Sequence, residues 1–262
     1  MSTTPSNHTK AQPDTVALFV PDLHLSAQTP LTTAAFFDFL ARYAQHTQQL
    51  YLLGDIFEYW AGDDDIDDPF NHTMINSLKS VSDQGVKVYW VAGNRDFLVG
   101  DRFAEASCLT RLPDPCVIEM AGEPILLTHG DAYCTDDVDY MQFRSQVRDT
   151  QWQQGFLAKP LAERKQMITA MREGSRAAQR EKSMAIMDVS LTAMDTLFRQ
   201  HGVTRIIHGH THRPAIHHSA SGIRYVLPDW DLDHAPHRGG WLAADLAGGF
   251  HERGIWHAVA TE

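Results

Sequence analysis

No stretch of this chain approaches the ~18 consecutive apolar residues of a membrane-spanning helix, so no helical span is expected. Thiols are scarce. Cys108, Cys116 and Cys134 form no Cys-x-x-Cys pair, are too few for a disulfide framework and join no histidine cluster. A reduced, cytosolic protein is the expectation. Basic residues are in the minority, 22 Lys and Arg against 33 Asp and Glu, for a formal charge of -11 and a pI of about 5.7. A chain this acidic is poorly suited to holding nucleic acid through its phosphates, and no nucleic acid partner is expected. Internal repeats and low-complexity tracts are missing too. The opening MSTTPSNHTKAQPDT has no apolar core of the signal-peptide kind, and residues 1–14 are expected to be a disordered lead-in.

What is present is a globular composition. The 262 residues are 43% hydrophobic and 21% charged, enough for one large α/β domain or a core with an insertion. The organising stretch is Leu50–Trp60, LYLLGDIFEYW. An apolar run empties into Gly54-Asp55, as a buried strand does when it meets a tight turn. In open α/β sheets ligands bind outside the carboxyl ends of the strands, where that turn lies. The pattern recurs. VALFVPDLH delivers Asp22 and His24, VYWVAGN delivers Asn94, ILLTHGD delivers His129, and IIHGHTH delivers His210 and His212. One carboxylate after a strand is an ordinary turn former. Five such ends, supplying only carboxylate, amide and imidazole, point to a metal centre.

Seven ligands exceed the needs of one ion with an open position but suit two ions if one carboxylate bridges. Oxygen donors mixed with imidazole, without thiolate, favour manganese or iron-type ions over structural zinc. Two divalent ions ~3.5–4 Å apart fit displacement at phosphorus, hence a hydrolase of phosphate esters or anhydrides.

Between these ends the periodicity predicts helices over Thr32–Ala44 and Asn71–Gln84, strands at Thr15–Val20 and Val86–Val91, and a hairpin through Ala121-Gly122-Glu123. Closing strands are expected at Arg205–Ile207, Ile223–Leu227, Gly240–Leu246 and Ile255–Val259, with His217 and His218 in an exposed loop. The run Asp63 to Asp68 lacks the ligand order of a calcium loop and is expected to be solvated. Residues 139–199 are expected to be all helix. They hold ten Lys and Arg against seven Asp and Glu, a local +3 that suits either an anionic ligand or a solvated face. Met184, Met187, Leu191, Met194 and Phe198 form a buried seam at helical spacing, and Ser175, Gln179 and Lys182 fall on another face. Leu161, Ile168 and Met171 share a face that either packs on a neighbour or lines a groove.

Asp-x-His, Gly-Asp, Gly-Asn-Arg-Asp, His-Gly-Asp and Gly-His-Thr-His, in this order, resemble the calcineurin-like metallophosphoesterase superfamily over residues 16–138 and 203–230. The resemblance implies an α/β fold, a four-layer α/β/β/α sandwich. It implies Asp22, His24, Asp55 and His212 on one ion and Asp55, Asn94, His129 and His210 on the other, with Asp55 bridging. Most members carry His where Arg95 stands. Gly93–Leu98, with GDIFEYWAGDDD, HGDAYCTDD, KSMAIMDV and HGHTHRP, is similar to the UDP-2,3-diacylglucosamine diphosphatase family of Gram-negative lipid A assembly.

That likeness implies two divalent ions, most simply Mn2+, and a UDP-linked diacylated glucosamine split to UMP and a sugar 1-phosphate. The runner-up is a general phosphodiesterase or nucleoside-polyphosphate hydrolase. It further implies a core at 15–138 and 200–262, a helical substrate-binding cap at 139–199, and peripheral attachment to the cytoplasmic face of the inner membrane. By resemblance Asp55, Asn94, Arg95 and His210 are catalytic, and substrate contacts fall on Asn94, Arg95, Asp137, Ser175, Gln179, Lys182 and His210. Arg95 offers a permanent charge and a fork for phosphate. Gln179 replaces the family's usual Asn and adds a methylene. Pro21 and Pro228-Asp229-Trp230 also depart from the family pattern, and neither is expected to touch a ligand.

Overall fold

The computed structural model describes residues 15–181 and 188–254, apart from the side chains of 175–181. Lys182, Met184, Met187 and the expected strand Ile255–Val259 lie outside the described residues.

Two sheets carry the chain. The first holds β1 (Thr15–Val20), β2 (Gln49–Leu52), β3 (Lys87–Val91), β4 (Leu109–Leu112), β10 (Gly240–Asp245) and β11 (Phe250–Gly254), in the order β11-β10-β1-β2-β3-β4. The second holds β5 (Cys116–Met120), β6 (Glu123–Leu127), β7 (Arg205–His208), β8 (Ala215–His218) and β9 (Ile223–Val226), in the order β5-β6-β7-β9-β8. β1 to β4 run parallel, as do β6, β7 and β9.

Alternation along β1 sorts the layers, because successive side chains of a strand face opposite ways. Ala17 and Phe19 meet Ile125, Leu127 and Ile207 between the sheets. Leu18 and Val20 turn outward onto α1 (Pro30–Arg42), through Phe36 and Phe39, and α2 (Pro69–Asp83), through Met74 and Leu78. On the far face of the second sheet, Leu126 and Ile206 pack on Met194, Leu197 and Phe198 of α7 (Leu191–His201). The result is the α/β/β/α sandwich expected from the resemblance. α3 (Asp101–Ser107) precedes β4, and both escape the sequence pattern because they are short.

Between β6 and α7 the chain forms α4 (Val138–Arg148), α5 (Thr150–Leu157) and α6 (Leu161–Glu181). The expected 139–199 segment also holds α7, the outer layer of the second sheet. The expected seam is not continuous. Residues 188–190 are not helical; Val189 is buried among Met194 and Val203, and the Ser190 N–H donates to Tyr133 O at 2.8 Å. Leu191 then opens α7 with its side chain in solvent. His217 and His218 are exposed, on edge strand β8 rather than in a loop.

The acidic run is solvated only in part, at Asp64 and Asp67. Asp63 accepts from Trp60 Nε1 (3.0 Å) and from the backbone N–H of Gly100 (2.8 Å) and Phe103 (3.1 Å). Asp65 is buried and takes Lys165 Nζ at 2.8 Å, Asp64 pairs with Arg164, and Asp68 caps α2 through Phe70 N. Asp63→Ala leaves three donors without an acceptor, so about 2–3 kcal/mol of stability should be lost. A denaturant midpoint shifted by under ~0.5 kcal/mol would return the loop to solvent.

Half of the basic island, five of its ten cations, meets carboxylates from outside the segment; Arg176, Arg180 and Lys182 have no described side chain. Arg144 and Arg148 reach Asp131, Arg164 and Lys165 reach Asp64 and Asp65, and Arg172 reaches Glu58. Those five pairs help dock α4 and α6 on the core.

Candidate metal centre

Each proposed ligand stands just beyond the carboxyl end of a strand: Asp22 and His24 after β1, Asp55 after β2, Asn94 after β3, His129 after β6, His210 and His212 after β7. Backbone bonds stitch the loops edge to edge. The N–H groups of Asp22 and His24 donate to Gly54 O (3.1 Å) and Asp55 O (2.9 Å), and that of Gly209 donates to His129 O (3.0 Å). The glycines of the motifs allow this closeness. A Cβ at Gly93 would lie 2.1 Å from Asp55 Oδ1, and one at Gly209 would lie 2.0 Å from Asp22 Oδ2.

Five of the seven proposed ligand residues sit in the left-handed region: Asp22 (φ 41°), His24 (48°), Asp55 (52°), His210 (66°) and His212 (53°). Among the described residues only Cys108 and Ala121 share it without being glycine. Such backbone is uncommon for L-residues and clusters at functional sites.

All seven side chains converge. His24 Nε2 lies 3.2 Å from His212 Nε2, and His212 Nε2 lies 3.7 Å from Asp22 Oδ1. The Asp55 carboxylate spans the two groups, with Oδ2 3.9 Å from His24 Nδ1 and Oδ1 3.7 Å from His129 Nε2. Asn94 Oδ1 is 2.9 Å from both His129 Nε2 and His210 Nδ1. Asp22, His24 and His212 could hold one ion, and Asp22, Asp55 and His129 can also be drawn around one.

The donor set fits divalent metal. Asp22 Oδ1 and His24 Nδ1 are buried with no hydrogen-bond partner, an arrangement that is costly unless something else satisfies them. Burial holds His24 and His210 down to about 3, with the charges of His212 and His129 respectively adding to it, so both present the neutral ring that binds metal. Burial works against protonation of His129, yet Asp55, Asp22 and Asp131 together push it up to about 9. Burial likewise opposes ionisation of Asp22, but the His212 ring 3.7 Å away keeps its carboxyl below the usual range. The cluster is built around positive charge.

Arg95 is placed beside this cluster and its side chain makes no hydrogen bond or ion pair among the described residues, while its N–H donates to Asp55 Oδ1 at 2.7 Å. Asp137 is buried and caps α4 through Tyr140 N at 3.0 Å. Ser175 and Gln179 fall on α6.

A cavity of about 630 Å³ joins the centre to the helices. Its polar lining includes His24, Asp55, Asn94, Arg95 and Asp137, and its apolar lining includes Phe143, Trp152, Phe156, Ile168 and Met171. Leu161 is not among the lining residues; it packs against the first-sheet core, as Ile168 and Met171 also do. The whole shared helical face packs on the core, and its C-terminal half also lines the cavity.

Sequence reasoning assigned no role to three carboxylates. Asp96, fully buried, accepts from the N–H groups of Ile56 (2.8 Å), Gly93 (3.0 Å) and Asp55 (3.2 Å) and so shapes the Asp55 turn. Asp131, also fully buried, accepts from Tyr140 Oη (2.9 Å) and Arg144 Nε (2.8 Å) and ties α4 to the His129 loop. Their places inside Gly-Asn-Arg-Asp and His-Gly-Asp were the available signal. The third corrects an expectation. Asp229 does touch a proposed ligand, its Oδ2 standing 3.3 Å from His212 Nδ1, because Trp230 N bonds Asp22 O (2.9 Å) and brings that turn against the site.

Comparison with known proteins agrees with this geometry. The profile of the calcineurin-like phosphoesterase family matches residues 16–214. Proteins named UDP-2,3-diacylglucosamine hydrolase are similar over most of their length. One from Aromatoleum aromaticum is 49% identical, covering 84% of this chain and 91% of that one. One from Escherichia coli is 47% identical over 82% and 91%, and one from Stenotrophomonas maltophilia 44% identical over 88% and 98%. With the family's profile spanning most of the chain and relatives this near, the protein belongs to the calcineurin-like phosphoesterases, among the UDP-2,3-diacylglucosamine hydrolases.

Proposed function

We propose that this protein hydrolyses the pyrophosphate of UDP-2,3-diacylglucosamine, releasing UMP and 2,3-diacylglucosamine 1-phosphate for lipid A. The observation that carries the reading is one cavity in which a candidate metal cluster and the Arg95 guanidinium share space with five large apolar side chains. A nucleotide–sugar–lipid needs both kinds of surface. A small soluble phosphodiester needs only the first, which disfavours a general phosphodiesterase.

Asp22, His24, Asp55 and His212 would hold one divalent ion, and Asp55, Asn94, His129 and His210 the other. We assign manganese on the donor types. Such ions, when bound, supply charge for phosphoryl oxygens and acidify water. Arg95 then binds non-bridging phosphate oxygens through its fork and stabilises the charge that grows there. Asn94 and His210 orient the same phosphate. Asp137, Ser175, Gln179 and Lys182 contact the rest of the polar substrate, and α4–α6 serve as the substrate-binding cap on the 15–138 and 200–262 core.

Among the described residues no helix is long and apolar enough to cross a membrane. Val138 and Phe143 on α4 and Leu157 on α5 are exposed, which supports peripheral contact with the cytoplasmic face of the inner membrane, where an acylated substrate would reside.

Incubation with UDP-2,3-diacylglucosamine and Mn2+ should yield UMP. UDP or free phosphate as the nucleotide-side product would reject the proposal. Truncation of the apolar lining should split substrates by their lipid. Phe143→Ala with Met171→Ala removes contact area from side chains that are not fully buried. At ~0.8 kcal/mol per buried CH2, kcat/KM on the diacylated substrate should fall about 10- to 100-fold. Turnover of a small phosphodiester and the melting temperature should barely move. Equal losses on both substrates would mean the acyl chains bind elsewhere.

A further inference from the structure

The turn after β9 carries a carboxylate that is outside the ligand set and away from solvent. Asp229 is 3% exposed. Its Oδ2 lies 3.3 Å from His212 Nδ1 and accepts from Arg238 Nε at 2.7 Å. The other nitrogen of the same ring faces the cluster, with His212 Nε2 3.2 Å from His24 Nε2 and 3.7 Å from Asp22 Oδ1. One ring thus divides its nitrogens between a buried acceptor and the candidate metal centre.

A carboxylate can accept but not donate, so it keeps a proton on Nδ1 and turns the Nε2 lone pair toward the cluster. His212 has need of such a hold, because its side chain is 38% exposed and its backbone is left-handed. Asp229 is itself held firmly. Trp230 N bonds Asp22 O at 2.9 Å, and its indole Nε1 donates to Gly240 O at 2.8 Å. Asp231 and Arg238 exchange two backbone bonds of 2.9 and 3.0 Å. The segment that presents Asp229 is therefore fastened to the loop that presents Asp22.

We propose that Asp229 is a positioning residue for the metal centre: steadied by Arg238, it fixes the tautomer and orientation of His212 so that Nε2 meets the ion. The proposal rests on the reading of His212 as a ligand. Residues that brace metal-bound histidines in this way are worth 10- to 100-fold in metal affinity.

The test is calorimetric titration of metal-free protein with Mn2+. Wild type, Asp229→Asn, Asp229→Ala, His212→Ala and the double variant His212→Ala/Asp229→Ala are compared, each with a melting curve. Asp229→Ala should weaken one of two binding events about 10- to 100-fold and leave the other unchanged. The isosteric Asp229→Asn, which keeps an acceptor and the packing, should recover part of the loss. In the His212→Ala background the Asp229 change should cost nothing further.

Wild-type affinity in both Asp229 variants overturns the proposal. So does an equal loss with and without His212, which would mark Asp229 as structural only. If His212→Ala itself binds two ions as tightly as wild type, the ligand reading has failed and the proposal falls with it. That outcome is distinct from a failure at Asp229 alone.

Discussion

Asp55→Asn is expected to lower the rate by about 10³ or more and to cost the protein at least one of its two ions. The Asp55 carboxylate lies between the His24 and His129 groups, one oxygen toward each. Because Arg95 N donates to Oδ1, an asparagine would place its carbonyl there and turn its NH2 toward the His24 side. A donor would then occupy the place where a lone pair is needed. Loss of activity would not reflect unfolding. Burial is the main influence on Asp55 and pushes it up to about 7, so the neutral amide should leave the metal-free fold at least as stable. Elemental analysis, a melting curve and a rate on one preparation separate these effects. Two retained ions with most of the activity would show that the bridge is assigned to the wrong residue.

Arg95→Ala should reduce kcat by ~10²–10³ with metal content unchanged. The contact that matters to the ligands is made by the Arg95 backbone N–H, which alanine keeps. The guanidinium has no partner among the described residues, so its removal strands no buried group. Arg95→Lys should restore little, since an ammonium lacks the planar fork. A lysine variant near wild-type rate would show that a point charge suffices, and a loss of metal in Arg95→Ala would place the side chain in the ion site instead.

The candidate centre was legible in the sequence because each proposed ligand is an abrupt polar residue after an apolar run, and the strand order then carries those ends to one edge. The strand expected at Thr15–Val20 is β1, and its unbroken apolar run VALFV suits its place between α1 and the second sheet, where both faces are buried. Legibility failed where the partner lies far along the chain. The arginines of α4 and α6 showed their charge, but nothing local says that Arg144 meets Asp131 or that Arg164 meets Asp64. The acidic run looked solvated for the same reason, since its donors come from Gly100, Phe103 and Lys165. Asp229 was misread because its turn departs from the family pattern, and only the Trp230 N–H to Asp22 O bond brings it to His212.

The left-handed backbone at Asp22, His24, Asp55, His210 and His212 bears on how such a chain would drift. Each non-glycine residue held there costs of order 1 kcal/mol or more. Five together approach the net stability of an ordinary domain, roughly 5–15 kcal/mol. Glycine at any of these positions would relieve that strain, so in a lineage released from catalysis the ligands would be among the easiest stabilising losses. A descendant kept only as a scaffold should shed them early, before its core.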